Sequence, residues 1–594
     1  MTEVIIAQQP LNFSFEKKSV EEQRPWGWES TIWSTSQFRI DSTTIKDGNY
    51  SLSAMCKDKC ESESYRYAME VFDLRGKDIQ LNAYIKGKDL KKEGSISISY
   101  AYEDSAGSDY LTKEASSEKF TGSFDWTSLS VSMKIPNNAK LVYALVNFNG
   151  EGALWVDDLE LLVDGISTRE LRVEKAFTKD EKNWFRKQVH SFGSALPKKE
   201  LFSEDINELQ FFKEAIGNSR IVALGESTHG THEFFTLKHK LLQFAVEEMG
   251  FRVFAIEDHQ LIVRQVDEYI KSGEGDTIKS MSGMFGVWAR QEVVDMIEWL
   301  KEFNQKNPDD MVSFIGFDIQ DVNPSIESLE NFLKIQDADL FDEIEPSLTK
   351  LRAHAKNIFF VQDTLQKQGW IDDARVIFDR ISAKKENWLA QTKTNQERNK
   401  VLYGIQYVKL IVQFFQEGLH NGQMLYRDEA MAENLSWYLE NIQPKGKVIV
   451  WAHDVHISRG ECPVNEYNMH SGKSMGSFLA KKYKEDFKSF GLSTFTGTYS
   501  AFKTYSYKEL IESPLFESPE GTIEEVLHQI AIEINKPNLY LPLNNSEIWL
   551  DKPVPVRFAN HVSFDYSFWP RFVIPNQFDG IFFIDQTTAA LLIK

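Results

Sequence analysis

Residues 220–235 read RIVALGESTHGTHEFF, and this stretch decides the fold of the larger part of the chain. Its apolar run, residues 221–224, predicts a short buried strand. Glu226 and His229 follow at once, and residues 234–250 have the apolar spacing of an amphipathic helix. A carboxylate and an imidazole are therefore expected in the turn between a buried strand and a helix, where α/β folds commonly bind their ligands.

Three more apolar runs end on ionisable residues in the same way. They read FRVFAIED (residues 251–258), MVSFIGFD (311–318) and KVIVWAHD (447–454). The first ends near Glu257, the second at Asp318 and the third near His453. Because strands alternate with helices here, the sequence predicts a mostly parallel sheet. A rim of carboxylates and imidazoles is expected along the edge where these strands end.

The chain divides into three parts. Residues 1–165 contain short alternating segments between turn signals, which predicts an all-β sandwich of the jelly-roll type. Residues 166–200 predict a connecting helix, and residues 201–594 predict the α/β domain that carries the rim. The almost wholly helical stretch at about 324–446 predicts an insertion that covers the rim as a cap.

The last part of the sandwich, GEGALWVDDLELLVDG (residues 150–165), resembles the final strands of jelly-roll modules of the carbohydrate-binding and galactose-binding-like type. Four tryptophans in this region, Trp26, Trp28, Trp33 and Trp126, are candidates for a platform on which sugars stack. Aromatic side chains more often pack in a core, and both interpretations stay open at this point.

The composition, 42% hydrophobic and 26% charged, is that of an ordinary globular protein. A formal net charge of −21 disfavours nucleic acids and anionic membranes as partners. No run approaches the roughly 18 apolar residues of a membrane helix, and the first residues lack the features of a signal peptide. Cys56 and Cys60 can pair, but three cysteines make no disulfide framework, so a cytoplasmic protein is expected.

Two histidine-containing motifs, Glu226-x-x-His229 and His453-x-x-His456, permit two kinds of chemistry. In the first, His229 is a general base that activates water, Glu226 or Glu257 orients it, and His453 acts as an acid or stabilises an oxyanion. In the second, Glu226, His229, His453 and His456 bind a divalent metal such as zinc. Ser227 is not expected to be a nucleophile, because the pattern G-x-S-x-G is absent around it.

Several segments resemble, in this order, those of the erythromycin esterase family. They are GESTHGTHEFF, FAIED, SFIGFD, RDEAMAENLSWYL and VIVWAHDVHI, with SMGSFLAKKY following. The resemblance runs from about residue 201 to the C-terminus. It implies an enzyme that hydrolyses the lactone ester of 14-membered macrolides, and the sandwich is additional to the core of the family.

The resemblance also implies roles for individual residues. His229 matches the general base of the family, Glu226 and Glu257 match its site carboxylates, and His453 matches its second essential imidazole. Lys238 stands where several relatives have an arginine, whose planar fork a lysine lacks. The expected substrate-binding residues are Lys238, His456, Arg427 and Asp318.

We therefore expect a carboxylic ester hydrolase that acts on a small-molecule ester or lactone, with macrolide resistance as one physiological role. The hypothesis that His229 is a general base requires no cofactor. The alternative hypothesis, that these residues are metal ligands, requires a divalent metal. Two other functions stay open. One is natural-product biosynthesis on the same scaffold, by acyl transfer, dehydration or cyclisation, and the other is glycan binding by a protein whose α/β domain is inactive.

Overall fold

A computed structural model describes most of the chain. The described residues are 12–16, 25, 28–30, 38–57, 62–69, 74–103, 110–168, 177–193, 208–359, 361, 363–420, 424–460, 473–503, 509–543, 554–559 and 571–593. Trp26 and Trp33 lie outside these ranges. Cys56 is disulfide-bonded, and both other cysteines also lie outside the described residues.

The described residues of the N-terminal part form ten β-strands. They are β1 (Trp28–Ser30), β2 (Phe38–Asp41), β3 (Ser51–Cys56), β4 (Glu63–Met69), β5 (Asp78–Glu103), β6 (Tyr110–Ser116), β7 (Phe120–Lys134), β8 (Ala139–Asn149), β9 (Gly152–Val163) and β10 (Ile166–Ser167). All their pairings are antiparallel. The described residues of this part therefore lie mostly in β-strands, as the alternating segments predict.

The 26-residue strand β5 links two groups of strands. Its first part pairs with β7 and β9, and its second part pairs with β6 and β8. One apolar core contains side chains from both groups, such as Leu81 and Val146. Trp28 belongs to this core, where it is 5% exposed and donates a hydrogen bond to the carbonyl of Asn12. Trp28 is therefore a packing residue, whereas Trp126 is half-buried.

The rest of the chain alternates strands with helices. The strands are β11 (His190–Ser191), β12 (Ile221–Leu224), β13 (Val253–His259), β14 (Ser313–Asp318), β15 (Val448–Trp451), β16 (Phe487–Phe502), β17 (Leu510–Leu515), β18 (Asn538–Pro542), β19 (Val554–Pro555), β20 (Arg571–Phe572) and β21 (Gly580–Thr587). The helices are α1 (Lys179–Gln188), α2 (Gln210–Ile216), α3 (His232–Met249), α4 (Arg264–Ser272), α5 (Thr277–Ser280), α6 (Gln291–Lys306), α7 (Asn323–Gln336), α8 (Ala338–His354), α9 (Thr364–Ala390), α10 (Asn395–Leu419), α11 (Met424–Asn441), α12 (Asp454–Ile457), α13 (Met475–Tyr483), α14 (Ile523–Ile534) and α15 (Ile574–Gln577).

One nine-stranded sheet organises this region, in the order β11-β18-β21-β16-β12-β15-β13-β14, with β17 paired to β16. The pairs from β21 to β14 are all parallel, whereas β11, β18 and β17 pair antiparallel. The four strands predicted to end on ionisable residues, β12, β15, β13 and β14, are neighbours and run in the same direction. Their carboxyl ends therefore meet along one edge of the sheet.

Both faces of this sheet are covered. Alternate strand residues such as Val222 and Ala223 belong to two separate apolar cores, because successive side chains point to opposite faces. The helices α7 to α10 have a third core of their own. Within residues 166–200, where a connecting helix is predicted, the described residues contain α1, whose buried Phe185 packs into the core of the sheet. No helix in the described ranges is long and apolar enough to span a membrane.

Candidate active site

The turn after β12 carries Glu226 and His229, and close packing fixes its start. A Cβ atom on Gly225 would lie 1.8 Å from Oδ1 of Asp454, so only glycine fits there. The amides of Gly225 and Ser227 donate to carbonyls of β16 at 2.8 and 3.0 Å. Ser227 is completely buried. The turn is thus bonded to β16 on one side, and on the other side the carbonyl of Glu226 accepts from the amide of Asp454 at 2.9 Å.

Glu226 is completely buried, and three side chains donate hydrogen bonds to its carboxylate. His229 Nδ1 lies 2.8 Å from Oε1, Lys238 Nζ lies 2.6 Å from Oε2, and Trp451 Nε1 lies 3.0 Å from Oε2. Lys238 is on α3 and Trp451 ends β15, so two elements besides the turn position this carboxylate. Burial lowers the pKa of Lys238 to about 8, although the charge of Glu226 opposes this shift.

The imidazole of His229 lies near two other rings, those of His453 and Trp288. Its ring centre is 4.9 Å from that of His453 and 5.9 Å from that of Trp288, and its side chain is 12% exposed. Because Nδ1 faces the Glu226 carboxylate, the proton of the neutral imidazole resides on Nδ1. The basic lone pair is therefore on Nε2, the tautomer that a general base needs.

A second buried network joins the ends of β13 and β14 to α11. Arg427 Nε lies 3.1 Å from Asp318 Oδ1, and Arg427 Nη2 lies 2.8 Å from Glu257 Oε1. His456 Nδ1 lies 2.9 Å from Asp428 Oδ1, and His456 Nε2 lies 3.1 Å from the same Glu257 oxygen. Charged hydrogen bonds of this kind join α11 to the carboxyl ends of β13 and β14.

The network favours the charged forms of Glu257 and His456. Burial opposes ionisation of Glu257, but His456, Arg427 and the nearby His229 hold the pKa of its carboxyl well below the usual range. Burial also opposes the protonation of His456, yet Asp428 and Glu257 raise the pKa of this imidazole to about 10. His456 is therefore an imidazolium at neutral pH, and both of its N–H groups donate to carboxylates.

His453 is held by the backbone. Its ring Nδ1 accepts from the amide of Val455 at 3.2 Å, and its Nε2 donates to the carbonyl of Ala559 at 3.1 Å. Its own amide donates to Oε2 of Glu257 at 3.0 Å. Burial, and then the nearby imidazoles of His229 and His456, lower the pKa of His453 well below the usual range. The ring is a neutral imidazole that caps α12.

Burial favours the neutral form of two further carboxyls at the rim. Burial raises the pKa of Asp258 to about 8, and it raises the pKa of Asp454 well above the usual range. A neutral carboxyl has the shape of an amide and donates one hydrogen bond, so Asp454 adds little charge beside Glu226.

The eight residues singled out from the sequence lie at this one edge. Glu226, His229 and Lys238 form one group, and Glu257, Asp318, Arg427 and His456 form the other, with His453 between them. Lys238 and Asp318 are 1% and 0% exposed, and their charged atoms bind Glu226 and Arg427. The structure thus places both as residues that hold other site residues.

Three groups at the site were not predicted from the sequence: Trp451, Trp288 and the carbonyl of Ala559. Trp451 could have been suspected, because an indole N–H next to a polar strand end usually finds a partner. Trp288 gives no comparable signal. The carbonyl of Ala559 is a backbone atom, and Arg557 holds its segment by donating to the carbonyls of Thr494 and Phe495. No local pattern reveals such a contact.

The side chains proposed as metal ligands have protein partners. Both nitrogens of His456 face carboxylates, and both nitrogens of His453 bond to backbone atoms. Within the described ranges, no group of three or more His, Cys, Asp or Glu side chains has the geometry to hold a metal ion. The metal-binding alternative therefore stays a prediction that needs a direct test.

The fold and site define an α/β protein with a buried carboxylate–imidazole pair at the carboxyl edge of its sheet. The model of the family named erythromycin esterase matches residues 246–587, which is more than half of the chain. The chain belongs to the erythromycin esterase family. The matched range includes Glu257, Asp318, Arg427 and the second histidine pair, and it begins after His229.

Individual relatives are distant. The erythromycin esterase type II of Escherichia coli is 25% identical over 418 residues, covering 65% of this chain and 94% of that protein. YbfO of Bacillus subtilis (strain 168) is 23% identical over 428 residues, covering 65% of this chain and 88% of that protein. The described fold is similar to that of a mutant of the erythromycin esterase EreC in an open conformation, with a TM-score of 0.52, 16% identity, and coverage of 68% of this chain and 99% of that one.

Proposed function

We propose that this protein hydrolyses a carboxylic ester or lactone, with His229 as the general base that activates water. The observation that carries the proposal is the 2.8 Å contact between Glu226 and Nδ1 of His229, within the turn that opens onto the carboxyl edge of the sheet. It fixes the tautomer in which Nε2 accepts a proton. Family membership supports a hydrolase of this kind.

The reaction then has two steps. His229 Nε2 takes a proton from water as the oxygen forms a bond to the carbonyl carbon, which gives a tetrahedral oxyanion. The bond from that carbon to the ester oxygen then breaks, and the proton on His229 passes to the leaving alkoxide. The products are a carboxylic acid and an alcohol, which remain one molecule when the substrate is a lactone.

The charges around the site suit this chemistry. The buried ionic network contains four carboxylates and three cations, so one negative charge is left to balance the imidazolium that forms on His229. The carboxylates are Glu226, Glu257, Asp318 and Asp428, and the cations are Lys238, Arg427 and His456. We infer that Arg427 and His456 stabilise the oxyanion by their field, since their N–H groups already bind carboxylates. His453 would need to release Ala559 before its Nε2–H could donate to the oxyanion.

The substrate class is a proposal from the relatives. Two of the similar proteins are named erythromycin esterases, which makes a macrolide lactone the first substrate to test. Small esters are the second, since the same base and network would serve any carbonyl that reaches His229. Biosynthetic acyl transfer on this scaffold remains the alternative.

The test uses water labelled with ¹⁸O. The full-length protein is incubated with erythromycin and with a panel of simple esters, and the products are analysed by mass spectrometry. Hydrolysis adds one water and places one ¹⁸O atom in the new carboxyl group, whereas acyl transfer to another alcohol does not. His229→Ala should lower the rate at least about 100-fold, because a positioned base supplies 10²–10⁴-fold.

The matched control is His190→Ala, because His190 is exposed on β11 and lies in an antiparallel edge strand. This variant should keep the wild-type rate. Retention of more than about a tenth of the activity by His229→Ala would contradict the assigned base. Both variants should keep the far-ultraviolet circular dichroism of the wild type.

A further inference from the structure

The turn that carries His229 is crossed by a chain segment far from it in sequence, residues 588–592. His232 donates its amide hydrogen to the carbonyl of Thr588 at 2.9 Å, and Ala590 donates to the carbonyl of Gly230 at 2.8 Å. Thr231 and Ala589 form an isolated antiparallel bridge. The 588–592 segment therefore contacts each of the three residues that follow His229.

Two carboxylates fix the 588–592 segment at its two ends. Glu233 accepts from the amide and hydroxyl of Thr588 at 2.7 and 2.8 Å. Glu292 accepts from the amide of Leu591 at 2.9 Å. Both carboxylates belong to the first turn of a helix, α3 for Glu233 and α6 for Glu292. A carboxylate at this place is favoured, because it faces the unpaired amides of the helix start.

Glu292 has a second partner on the turn itself. The same oxygen that accepts from Leu591 lies 2.5 Å from Nδ1 of His232, and Glu292 is only 4% exposed. The hydrogen bond that His232 donates to the Glu292 carboxylate raises the pKa of His232, which favours its protonated form. One buried carboxylate thus binds both the turn and the segment that covers it.

The turn needs such external bonds. Gly230 follows His229 directly, and glycine has more backbone freedom than any other residue. A Cβ atom there would lie 1.9 Å from the carbonyl oxygen of Ser500, so the close approach of β16 requires glycine. Its carbonyl accepts from Ser500 on one side and from Ala590 on the other, each at 2.8 Å. These two bonds restrict the residue that joins His229 to α3.

We propose that Glu292 is a positioning residue for His229, acting by fixing His232 and the 588–592 segment onto the turn. The inference rests on the proposed role of His229 as general base. Glu292 makes no contact with the reacting atoms in this account. It holds the imidazole of His229 against Glu226, and a displacement of about 1 Å in such a base costs up to about 100-fold in rate.

Two variants test this proposal, one at the acceptor and one at the donor of the hydrogen bond between Glu292 and Leu591. Glu292→Met has a similar volume and removes both acceptor oxygens. Leu591→Pro removes the amide that donates to Glu292, and it also restricts the backbone at residues 590 and 591. The side chain of Leu591 is 55% exposed, so little packing is lost. The matched control is Glu302→Met, because Glu302 lies on the same helix and is exposed.

Two measurements are made on each full-length variant. Steady-state kinetics on the best ester substrate should show kcat reduced about 10- to 100-fold with KM nearly unchanged for Glu292→Met and Leu591→Pro. Hydrogen–deuterium exchange should become faster for the amides of residues 229–233, whereas exchange in β12 and β13 stays as in the wild type. Glu302→Met should match the wild type in both.

The outcomes separate this inference from the proposed function. Unchanged exchange at residues 229–233 in both variants would overturn it, whatever the kinetics show. Faster exchange with an unchanged kcat would also overturn it, because the turn would then be loosened without effect on the base. If the wild type hydrolyses no ester or lactone, the proposed function fails, and the positioning role of Glu292 fails with it.

Discussion

Lys238 and Glu226 form an ion pair that is almost completely withdrawn from water. Their charged atoms are 2.6 Å apart, and the lysine ammonium also lies 4.3 Å from the ring centre of Trp451. Because Lys238 is 1% exposed, its charge acts on His229 through Glu226. The ion pair with Lys238 holds the carboxylate of Glu226 in place beside the imidazole of His229.

We predict that Lys238→Met destabilises the protein by about 3–5 kcal/mol, because it leaves the Glu226 charge buried without its cation. The measurement is the free energy of unfolding from urea denaturation. The double variant Glu226→Gln with Lys238→Met should recover most of the loss, because no charge then stays unpaired. A single variant within about 1 kcal/mol of the wild type would show that the pair matters little to stability.

Glu226→Gln alone should reduce kcat about 10²–10⁴-fold. A glutamine amide can donate to Nδ1 of His229, which moves the imidazole proton to Nε2 and removes the base. The same amide cannot stabilise the imidazolium that forms during the reaction. The measurement is kcat and KM on the best ester substrate. A reduction of less than about tenfold would mean that Glu226 is not the partner that sets the tautomer.

The stability of the protein should depend on His456 in a defined pH window. The pKa of its imidazole is raised from 6.5 to about 10 in the folded state, so the folded protein binds the extra proton between these values. The stability from this group is complete below about pH 6.5 and is lost as the pH rises toward 10, at up to about 1.4 kcal/mol per pH unit.

The measurement compares urea unfolding of the wild type and His456→Gln at pH 6, 7 and 8. The comparison of slopes isolates His456, because Asp258 titrates in both proteins alike. Burial raises the pKa of Asp258 to about 8, so it also makes stability fall with pH. Equal slopes in the two proteins would contradict a protonated His456.

Much of the site could be predicted because its residues follow buried strands. An apolar run that stops at an ionisable residue marks a strand end, and parallel strands bring such ends together. The three-residue spacing of Glu226 and His229 places both in one turn. The order of the strands could not be predicted in this way, because β15 pairs between β12 and β13 through tertiary packing.

The roles of the cations were harder to predict for a physical reason. Lys238 lies among apolar residues of α3, and only the structure shows that it reaches Glu226. Arg427 and His456 were expected to contact substrate, and the structure places their N–H groups on Glu257 and other carboxylates. Which carboxylate a cationic side chain binds depends on distances between elements that are far apart in the chain. The local sequence does not indicate these distances.

Gly225 provides a test of the packing around the turn. Gly225→Ala should destabilise the protein by about 1–3 kcal/mol, because the new Cβ atom would lie 1.8 Å from Asp454 and 2.8 Å from Ile457. The matched control is Gly369→Ala in α9, where no atom lies within 4 Å of the added carbon. The control should stabilise by about 0.5–1 kcal/mol, because alanine favours helix. Both are measured by thermal unfolding, and equal effects would contradict the packing account.

Chelation tests the metal-binding alternative. In the general-base account, prolonged dialysis against EDTA should leave the hydrolytic rate within about twofold of the starting value, because water is activated by His229 alone. The rate is measured before dialysis, after it, and after addition of zinc or manganese. A rate that falls with EDTA and returns with either ion would favour a metal held by Glu226, His229 and the second histidine pair.

The position of β15 has a consequence for biosynthesis. This strand lies between β12 and β13 in the sheet, yet in the chain it follows helices α7 to α11. A ribosome therefore releases β12 and β13 long before the strand that joins them exists. Until Val448–Trp451 emerges, the edges of β12 and β13 that pair with this strand are unpaired. Nascent chains with such apolar edges are prone to aggregate. Glu226 and Glu257 therefore reach their final places only after β15 has emerged, and a chain interrupted within helices α7 to α11 would lack the strand that joins β12 to β13.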